Sequence, residues 1–145
     1  HQQGFMVTGI DVSENMIQKA KELHLEHAIF FVQDLLEFTS LEKYDAVIAF
    51  DSLWYISHNR QKEIYKIISS LLNIGGYFLF THGKKDGSTA GKMFGETFYY
   101  SALDVKKVHE LLIANGFIII SSIENYREKT TGDRELLIVA QKIHE

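Results

Sequence analysis

Hydrophobic residues along the chain form short runs that alternate with segments of helical spacing. Runs typical of buried strands cover residues 5–10, 28–32, 44–50, 77–81, 117–123 and 136–140. Apolar residues recur every three or four positions over 14–23, 61–72 and 104–115, which predicts three amphipathic helices. This alternation predicts an α/β fold, with a mostly parallel sheet and helices on both faces.

Two segments depart from the alternation. Residues 82–100 contain four glycines and few aliphatic residues, so we expect a long, mobile loop that covers a substrate pocket. The last two predicted strands have no helix between them, which indicates a C-terminal antiparallel hairpin. No repeat, low-complexity tract or linker divides the chain, and we therefore expect a single domain over residues 1–145.

Composition narrows the range of functions. The chain has 145 residues, 46% of them hydrophobic and 23% charged, as expected of a folded domain. A net charge of −4 disfavours nucleic acid as a partner, and the lack of cysteine excludes disulfides and thiolate zinc sites. The sequence has neither an apolar run long enough to span a bilayer nor a signal-peptide pattern. We expect a cytoplasmic, soluble protein with neither nucleic acid nor a membrane as partner.

Three consecutive predicted strands each end at an acidic residue, namely Asp11, Asp34 and Asp51. The carboxyl ends of parallel strands share one edge of a sheet, and ligands bind at that edge in open α/β folds. The three acids therefore predict a binding site. For each of them a simpler role, as a turn residue that caps the following segment, stays open.

Four segments resemble, in order, the motifs of class I S-adenosylmethionine-dependent methyltransferases: residues 7–22, 33–35, 44–53 and 72–79. The resemblance extends from Val7 to Ala140 and implies a Rossmann-like fold with S-adenosylmethionine as cofactor. It implies that Asp11 binds both ribose hydroxyls and that Asp34 accepts the adenine amino group. The residues that it places at the cofactor are Asp11, Val12, Met16, Asp34, Leu35, Phe50, Asp51 and Ser52.

The family's glycine-rich loop, with its first strand and helix, would lie before residue 5 and is missing from this sequence. We therefore expect an N-terminally incomplete domain that binds S-adenosylmethionine poorly. The strands that end at Asp11 and Phe50 would then pair directly, or a homodimer would exchange strands to fill the gap.

Candidate catalytic residues are few, because the sulfonium of the cofactor already activates the methyl group. His58 and His82 follow predicted strands and could take a proton from a substrate, although each could also be a surface loop histidine. Tyr100 could form a wall of the substrate pocket or pack against the sheet. His24 and His27 lack a regularly spaced third ligand, so we predict no metal site.

The expected function is methyl transfer from S-adenosylmethionine to a small-molecule acceptor. A non-catalytic methyltransferase-like binding domain is the first alternative, since the glycine-rich loop is absent. A nicotinamide-dependent oxidoreductase would share the fold class and the ribose-binding acid. The L-x-x-G-G turn at residues 72–76 and the C-terminal hairpin favour the methyltransferase.

Overall fold

The structure is a computed structural model that describes residues 3–130 and 132–144. The chain folds into two compact units that divide between Thr39 and Ser40. We refer to residues 3–39 as the N-terminal unit and to residues 40–144 as the C-terminal unit, and each is considered by itself. The single domain expected over residues 1–145 stays a prediction.

The N-terminal unit is one parallel strand–helix–strand unit. It consists of β1 (Val7–Asp11), α1 (Glu14–Glu22) and β2 (Ala28–Val32), and a 3-10 turn at Leu35–Glu37 follows β2. Ser13 caps α1, because its side chain accepts a hydrogen bond from the Met16 backbone N–H. In the parallel ladder Val7 lies opposite Ala28, and Asp11 lies opposite Val32.

The C-terminal unit contains six strands and two helices. In chain order they are β3 (Tyr44–Ala49), α2 (Gln61–Leu71), β4 (Leu72–His82), β5 (Gly87–Met93), β6 (Glu96–Ala102), α3 (Val105–Ala114), β7 (Phe117–Tyr126) and β8 (Arg134–Lys142). Four strands form one sheet in the order β3-β4-β8-β7, and β5 and β6 form a separate two-stranded sheet. Short 3-10 turns at Leu53–Tyr55 and His58–Arg60 connect β3 to α2.

The core of the C-terminal unit lies on one face of the four-stranded sheet. Phe78 and Phe80 of β4 lie opposite Ala140 and Ile138 of β8, and all four side chains are fully buried. Helix α2 packs on β4 and helix α3 on β7, and both helices bury their apolar stripes. The other face exposes apolar side chains, with Ile48 69% exposed, so the described helices of this unit cover a single face.

The segment expected to be a long loop is mostly a β-hairpin. Strands β5 and β6 pair in antiparallel register, from Gly87 opposite Ala102 to Met93 opposite Glu96. Phe94 and Gly95 at the tip both have positive φ, of 53° and 85°, as a two-residue type I′ turn requires. At Gly91 an added Cβ would lie 2.8 Å from a ring carbon of Tyr100, so this glycine makes room for the cross-strand ring. The loop prediction was wrong because these glycines were taken as signs of flexibility.

The predicted α/β class is confirmed, and the last two strands, β7 and β8, form the predicted antiparallel hairpin. The sheets are less parallel than expected, because β1–β2 and β3–β4 are parallel and the three other pairings of the described strands are antiparallel. The predicted direct pairing of the strands that end at Asp11 and Phe50 was wrong for the described residues: β1 pairs with β2, and β3 pairs with β4. Strand exchange in a homodimer stays a prediction.

Candidate functional site

Asp11 and Asp34 lie at the carboxyl ends of two adjacent parallel strands. Asp11 is the last residue of β1, and its backbone carbonyl accepts a hydrogen bond of 2.9 Å from the N–H of Gln33, just beyond β2. Asp34 follows directly in the chain. The structure therefore brings these two acids to the same edge of the N-terminal unit, as the sequence predicted.

Each of the two carboxylates uses one oxygen to cap the segment that follows it. Asp11 Oδ1 accepts the Ser13 N–H at 2.8 Å, and Asp34 Oδ1 accepts the Leu36 N–H at 2.9 Å. Within the described residues the second oxygen of each carboxylate has no hydrogen bond. The capping role and the binding role are thus compatible, since one oxygen of each acid is available to a ligand.

Exposed apolar side chains accompany these acids in the N-terminal unit. Val12 is 69% exposed and Met16 is 54% exposed, one of them next to Asp11 and the other in the first turns of α1. Leu35, which begins the 3-10 turn after Asp34, is half-buried. Exposed apolar surface beside carboxylates is suited to a ligand with a flat apolar face and polar edges.

The remaining predicted cofactor residues, Phe50, Asp51 and Ser52, lie where the chain leaves β3 in the C-terminal unit. Asp51 adopts the left-handed backbone conformation with φ of 53°, which is unusual for a residue other than glycine. Its backbone N–H donates to Thr81 Oγ1 at 2.8 Å, and its carboxylate accepts from the same hydroxyl at 3.2 Å. Ser52 is exposed and makes no side-chain capping bond to the 3-10 turn that it precedes.

Arg134 forms an ion pair with Asp51, which the sequence placed among the cofactor-binding residues. Arg134 Nε and Nη2 donate to Asp51 Oδ1 and Oδ2, both at 2.5 Å, in the bidentate geometry typical of strong ion pairs. The hydrogen bonds to Asp51 raise the pKa of Arg134. The guanidinium carbon also lies 5.3 Å from the centre of the Phe50 ring. Asp51 therefore contributes structure at the end of β3 rather than an uncompensated charge.

Two of the three catalytic candidates, His58 and Tyr100, are accessible in the C-terminal unit. His58 Nε2 lies 3.1 Å from Asp86 Oδ1, and both side chains are partly exposed. The half-buried Tyr100 ring lies 6.0 Å from the Trp54 ring in an edge-to-face arrangement, and 5.9 Å from the Tyr55 ring. The pKa of Tyr55 is raised, first by burial of its hydroxyl and then by electrostatic interaction with Tyr100 and Asp51.

The third candidate, His82, is a core residue, so we withdraw it as a general base. It is 1% exposed, with Nδ1 at 2.7 Å from the Gly83 carbonyl and Nε2 at 2.9 Å from Gln61 Oε1. Burial lowers the pKa of His82, an effect that the Gly83 carbonyl and the charge of Glu135 oppose. A ring buried in this way cannot reach a substrate proton.

Gln61, which the sequence did not single out, connects three parts of the C-terminal unit. It is fully buried, and its Nε2 donates to the carbonyls of Leu53, Ile56 and Ser101 while its Oε1 faces His82. The 3-10 turn that contains Trp54, strand β6 and the end of β4 are thereby fixed to helix α2 by one side chain.

A pocket of about 430 Å³ lies among these segments of the C-terminal unit. Its polar wall includes the Ser88 and Ser101 hydroxyls, which lie 2.9 Å apart. The residues that line it are Trp54, Gly83, Lys85, Asp86, Gly87, Ser88, Thr89, Tyr100, Ser101, Ala102 and Glu135. Its volume is in the range of small-molecule sites. Tyr100 lines this pocket, which is one of the two roles considered for it. The residue belongs to strand β6 of the hairpin and not to the expected loop.

Arg134, Glu135 and Gln61 were missed because their partners are distant in sequence. Arg134 and Asp51 are separated by 83 residues, and Gln61 and Ser101 by 40. A polar residue at the start of an amphipathic helix, such as Gln61, is ordinarily solvated. Only the pairing of β8 beside β4 shows that Arg134 and Glu135 lie near the end of β3 and the pocket.

Metal and membrane features can be stated for the described residues only. Among them, no group of three or more histidine, aspartate or glutamate side chains is arranged to hold a metal ion. In the same part of the chain, no helix has the length and apolar character needed to cross a membrane.

Comparison with known proteins identifies the family. The sequence matches the methyltransferase-domain family over residues 1–129. A relative from Geobacillus sp. (strain WCH70), which bears a provisional methyltransferase name, is 34% identical over 86 residues. That match covers 54% of this chain and 34% of the relative, so the chain spans about a third of the length of the relative that it matches.

Solved structures show the same fold. A protein of Methanosarcina mazei described as an S-adenosylmethionine-dependent methyltransferase superposes with a TM-score of 0.81 at 21% identity, over 99% of this chain and 84% of that chain. The 1,6-didemethyltoxoflavin N1-methyltransferase of Burkholderia thailandensis, solved with 1,6-didemethyltoxoflavin and S-adenosylhomocysteine, superposes with a TM-score of 0.74 at 21% identity, over 99% of this chain and 64% of that chain. The family resemblance drawn from the sequence motifs is thereby confirmed, and this chain belongs to the methyltransferase-domain family.

Proposed function

We propose that this domain transfers a methyl group from S-adenosylmethionine to a small-molecule acceptor. The observation that carries the proposal is the pair Asp11 and Asp34, two acids at adjacent strand ends that each retain an unbonded oxygen. In a chain of the methyltransferase-domain family, this pair fits the hydrogen-bonding groups of an adenosine. S-adenosylmethionine, when bound, supplies a methyl group made electrophilic by its sulfonium.

The residues of the N-terminal unit would hold the adenosine end of the cofactor. Asp11 would accept hydrogen bonds from the ribose hydroxyls through its available oxygen, and Asp34 would accept the adenine amino group. Val12, Met16 and Leu35 offer apolar contacts beside these acids. The capping bonds from Ser13 and Leu36 fix both carboxylates before a ligand arrives, which reduces the entropy cost of binding.

The pocket of the C-terminal unit is the proposed acceptor site. The pocket adjoins the end of β3 in two ways. Tyr55, just beyond β3, contacts Tyr100 of the pocket wall. Glu135 of the wall follows directly after Arg134, the partner of Asp51. Phe50 and Ser52 lie at the same strand end. The work of these residues would be to align the acceptor and exclude water. His58, with its bond to Asp86, remains our candidate for removing a proton from the acceptor.

Substitution of Asp11 by asparagine tests the proposed cofactor site. Asparagine keeps an oxygen for the Ser13 N–H, so the turn that leads into α1 is preserved while the charge and one acceptor are lost. A lost charge-assisted hydrogen bond costs about 1.5–3 kcal/mol, so the dissociation constant for S-adenosylmethionine should rise about tenfold or more. The measurement is calorimetric titration of the unaltered chain and of the Asp11→Asn variant with S-adenosylmethionine.

Asp104→Asn provides the matched control. Asp104 Oδ1 likewise accepts one local backbone N–H, that of Lys107 at 2.8 Å, and Asp104 lies outside the proposed site. It should leave the dissociation constant unchanged. If Asp11→Asn binds the cofactor as tightly as Asp104→Asn does, the assignment of Asp11 is wrong.

A further inference from the structure

The pocket of the C-terminal unit carries a carboxylate without a cationic partner. Glu135 lies in its wall, and Glu135 Oε2 accepts the backbone N–H of Lys84 at 3.1 Å. Within the described residues no lysine, arginine or histidine forms an ion pair with Glu135. The other acid in the wall, Asp86, is bonded to His58, and Lys85 is the single cationic residue of the lining. Two acids against one lysine leave the lining negatively charged.

Aromatic residues complete the wall around this charge. Trp54 and Tyr100 both line the pocket, and their rings meet edge to face at 6.0 Å. The faces of tryptophan and tyrosine rings carry negative potential and attract cations. A carboxylate beside aromatic rings in one pocket therefore favours a cation with an apolar body and disfavours an anion.

We propose that the pocket binds a small molecule that carries a protonated amine beside an apolar or aromatic group. Glu135 would pair with the ammonium, and Trp54 and Tyr100 would contact the apolar body. This inference rests on the proposed function in one respect, since it makes an amine nitrogen the methyl-accepting atom. In that step the ammonium first loses its proton, for which His58 is the proposed acceptor. The nitrogen lone pair then forms the new N–C bond as the S–C bond breaks and leaves its electron pair on sulfur.

Binding of simple amines to the cofactor-free chain tests the inference. Trp54 is the only tryptophan of the sequence, so its indole N–H gives a single resonance that reports on the pocket. Benzylamine is protonated at neutral pH, and benzyl alcohol and benzoate are its neutral and anionic counterparts. Titrations monitored at the Trp54 indole should give a dissociation constant for benzylamine about three- to thirtyfold below that for benzyl alcohol. Benzoate should bind more weakly than either of them.

Glu135→Gln separates the charge from the shape of the pocket. Glutamine keeps an oxygen for the Lys84 N–H, so the local structure should persist while the preference for benzylamine falls to less than half its original value. Glu42→Gln removes the same charge from a residue outside the lining and should leave the preference intact. Equal binding of benzylamine and benzyl alcohol, tighter binding of benzoate, or equal effects of the two variants would overturn the inference. Titration with S-adenosylmethionine alone tests the proposed function separately, so the two can fail independently.

Discussion

Asp51 and Arg134 join the ends of two strands that are not neighbours in the sheet. Asp51 follows β3, Arg134 begins β8, and β4 lies between these strands. The two 2.5 Å bonds of the guanidinium therefore reach across the end of β4, where Thr81 also bonds to Asp51. This network holds Asp51 in its left-handed conformation and sets the course of the chain towards Trp54 and the pocket.

The bidentate geometry predicts that lysine cannot replace Arg134. A lysine keeps the charge but presents one ammonium in place of two parallel N–H groups, so it cannot satisfy both Asp51 oxygens. Arg134→Lys should lower the midpoint of thermal unfolding by several degrees, nearly as much as Arg134→Gln. The measurement is thermal unfolding followed by circular dichroism.

Arg127→Lys is the control for this prediction. Arg127 also bonds to an aspartate, Asp133, but its side chain is 81% exposed whereas that of Arg134 is 11% exposed. Exposed ion pairs contribute little, so this variant should unfold at the temperature of the unaltered chain. Equal midpoints for Arg134→Lys and the unaltered chain would show that charge alone suffices at this site.

The sequence predicted those features that depend on local patterns. The three helices and six of the eight described strands were found because hydrophobic periodicity is a local signal. The Asp11 and Asp34 strand ends were found in the same way. The order of β8 between β4 and β7 could not be predicted, because strand pairing depends on contacts between distant residues.

The errors concern residues whose role depends on distant partners. Asp51 has the same local sequence pattern as Asp11, yet Arg134 compensates it. His82 was expected to be accessible because it ends a strand, but Gln61 and the Gly83 carbonyl enclose it. The glycines of residues 82–100 indicated flexibility, whereas the type I′ turn and the Tyr100 ring require glycine at two of the four positions. The number of glycines in a segment does not show whether they make it flexible or fit a tight turn or a close contact.

Gln61 should contribute strongly to stability through its buried hydrogen bonds. Gln61→Met keeps the approximate shape but leaves the Ser101 and Ile56 carbonyls and His82 Nε2 without this partner. Buried groups that lose their partner cost about 1–3 kcal/mol each, so the loss of three such partners should lower the free energy of unfolding by about 3 kcal/mol or more. Urea unfolding measures this fall, and amide exchange in β6 should become faster.

Gln141→Met is the matched control for Gln61→Met. Gln141 makes one exposed hydrogen bond, to the Gly75 carbonyl. Its replacement should change the free energy of unfolding by less than about 1 kcal/mol. Similar losses in the two variants would mean that burial of the Gln61 network is not the source of its effect.

Burial of His82 predicts that stability declines in mild acid. The pKa of His82 is lowered in the folded state, whereas in the unfolded chain a histidine titrates near 6.5. Below that pH the unfolded chain takes up a proton that the folded chain resists, so the free energy of unfolding falls as the pH decreases. The fall ends once the pH is below the folded-state pKa, and above about pH 6.5 this histidine contributes no pH dependence.

His82→Gln isolates this contribution because glutamine does not titrate. The difference in unfolding free energy between the chain and this variant should change as the pH is lowered from 7 to 5, in favour of the variant. His109→Gln, at a half-buried histidine bonded to Ser122, is the control variant for the loss of a histidine elsewhere in the chain. A difference that does not vary with pH would show that His82 protonates equally in both states.

Gly116 and Gly75 predict different costs for the same substitution. Both have positive φ, of 85° and 87°, so alanine at either position is strained by roughly 1–2 kcal/mol. At Gly75 an added Cβ meets nothing within 4 Å, whereas at Gly116 it would lie 2.5 Å from the His144 backbone carbonyl. The Gly116 carbonyl also accepts the Ile143 N–H at 2.8 Å, so His144 cannot move away without disturbing this bond. Gly116→Ala should therefore lower the unfolding free energy in urea by more than Gly75→Ala does. Equal losses would show that the end of β8 shifts freely and that backbone conformation alone sets the cost.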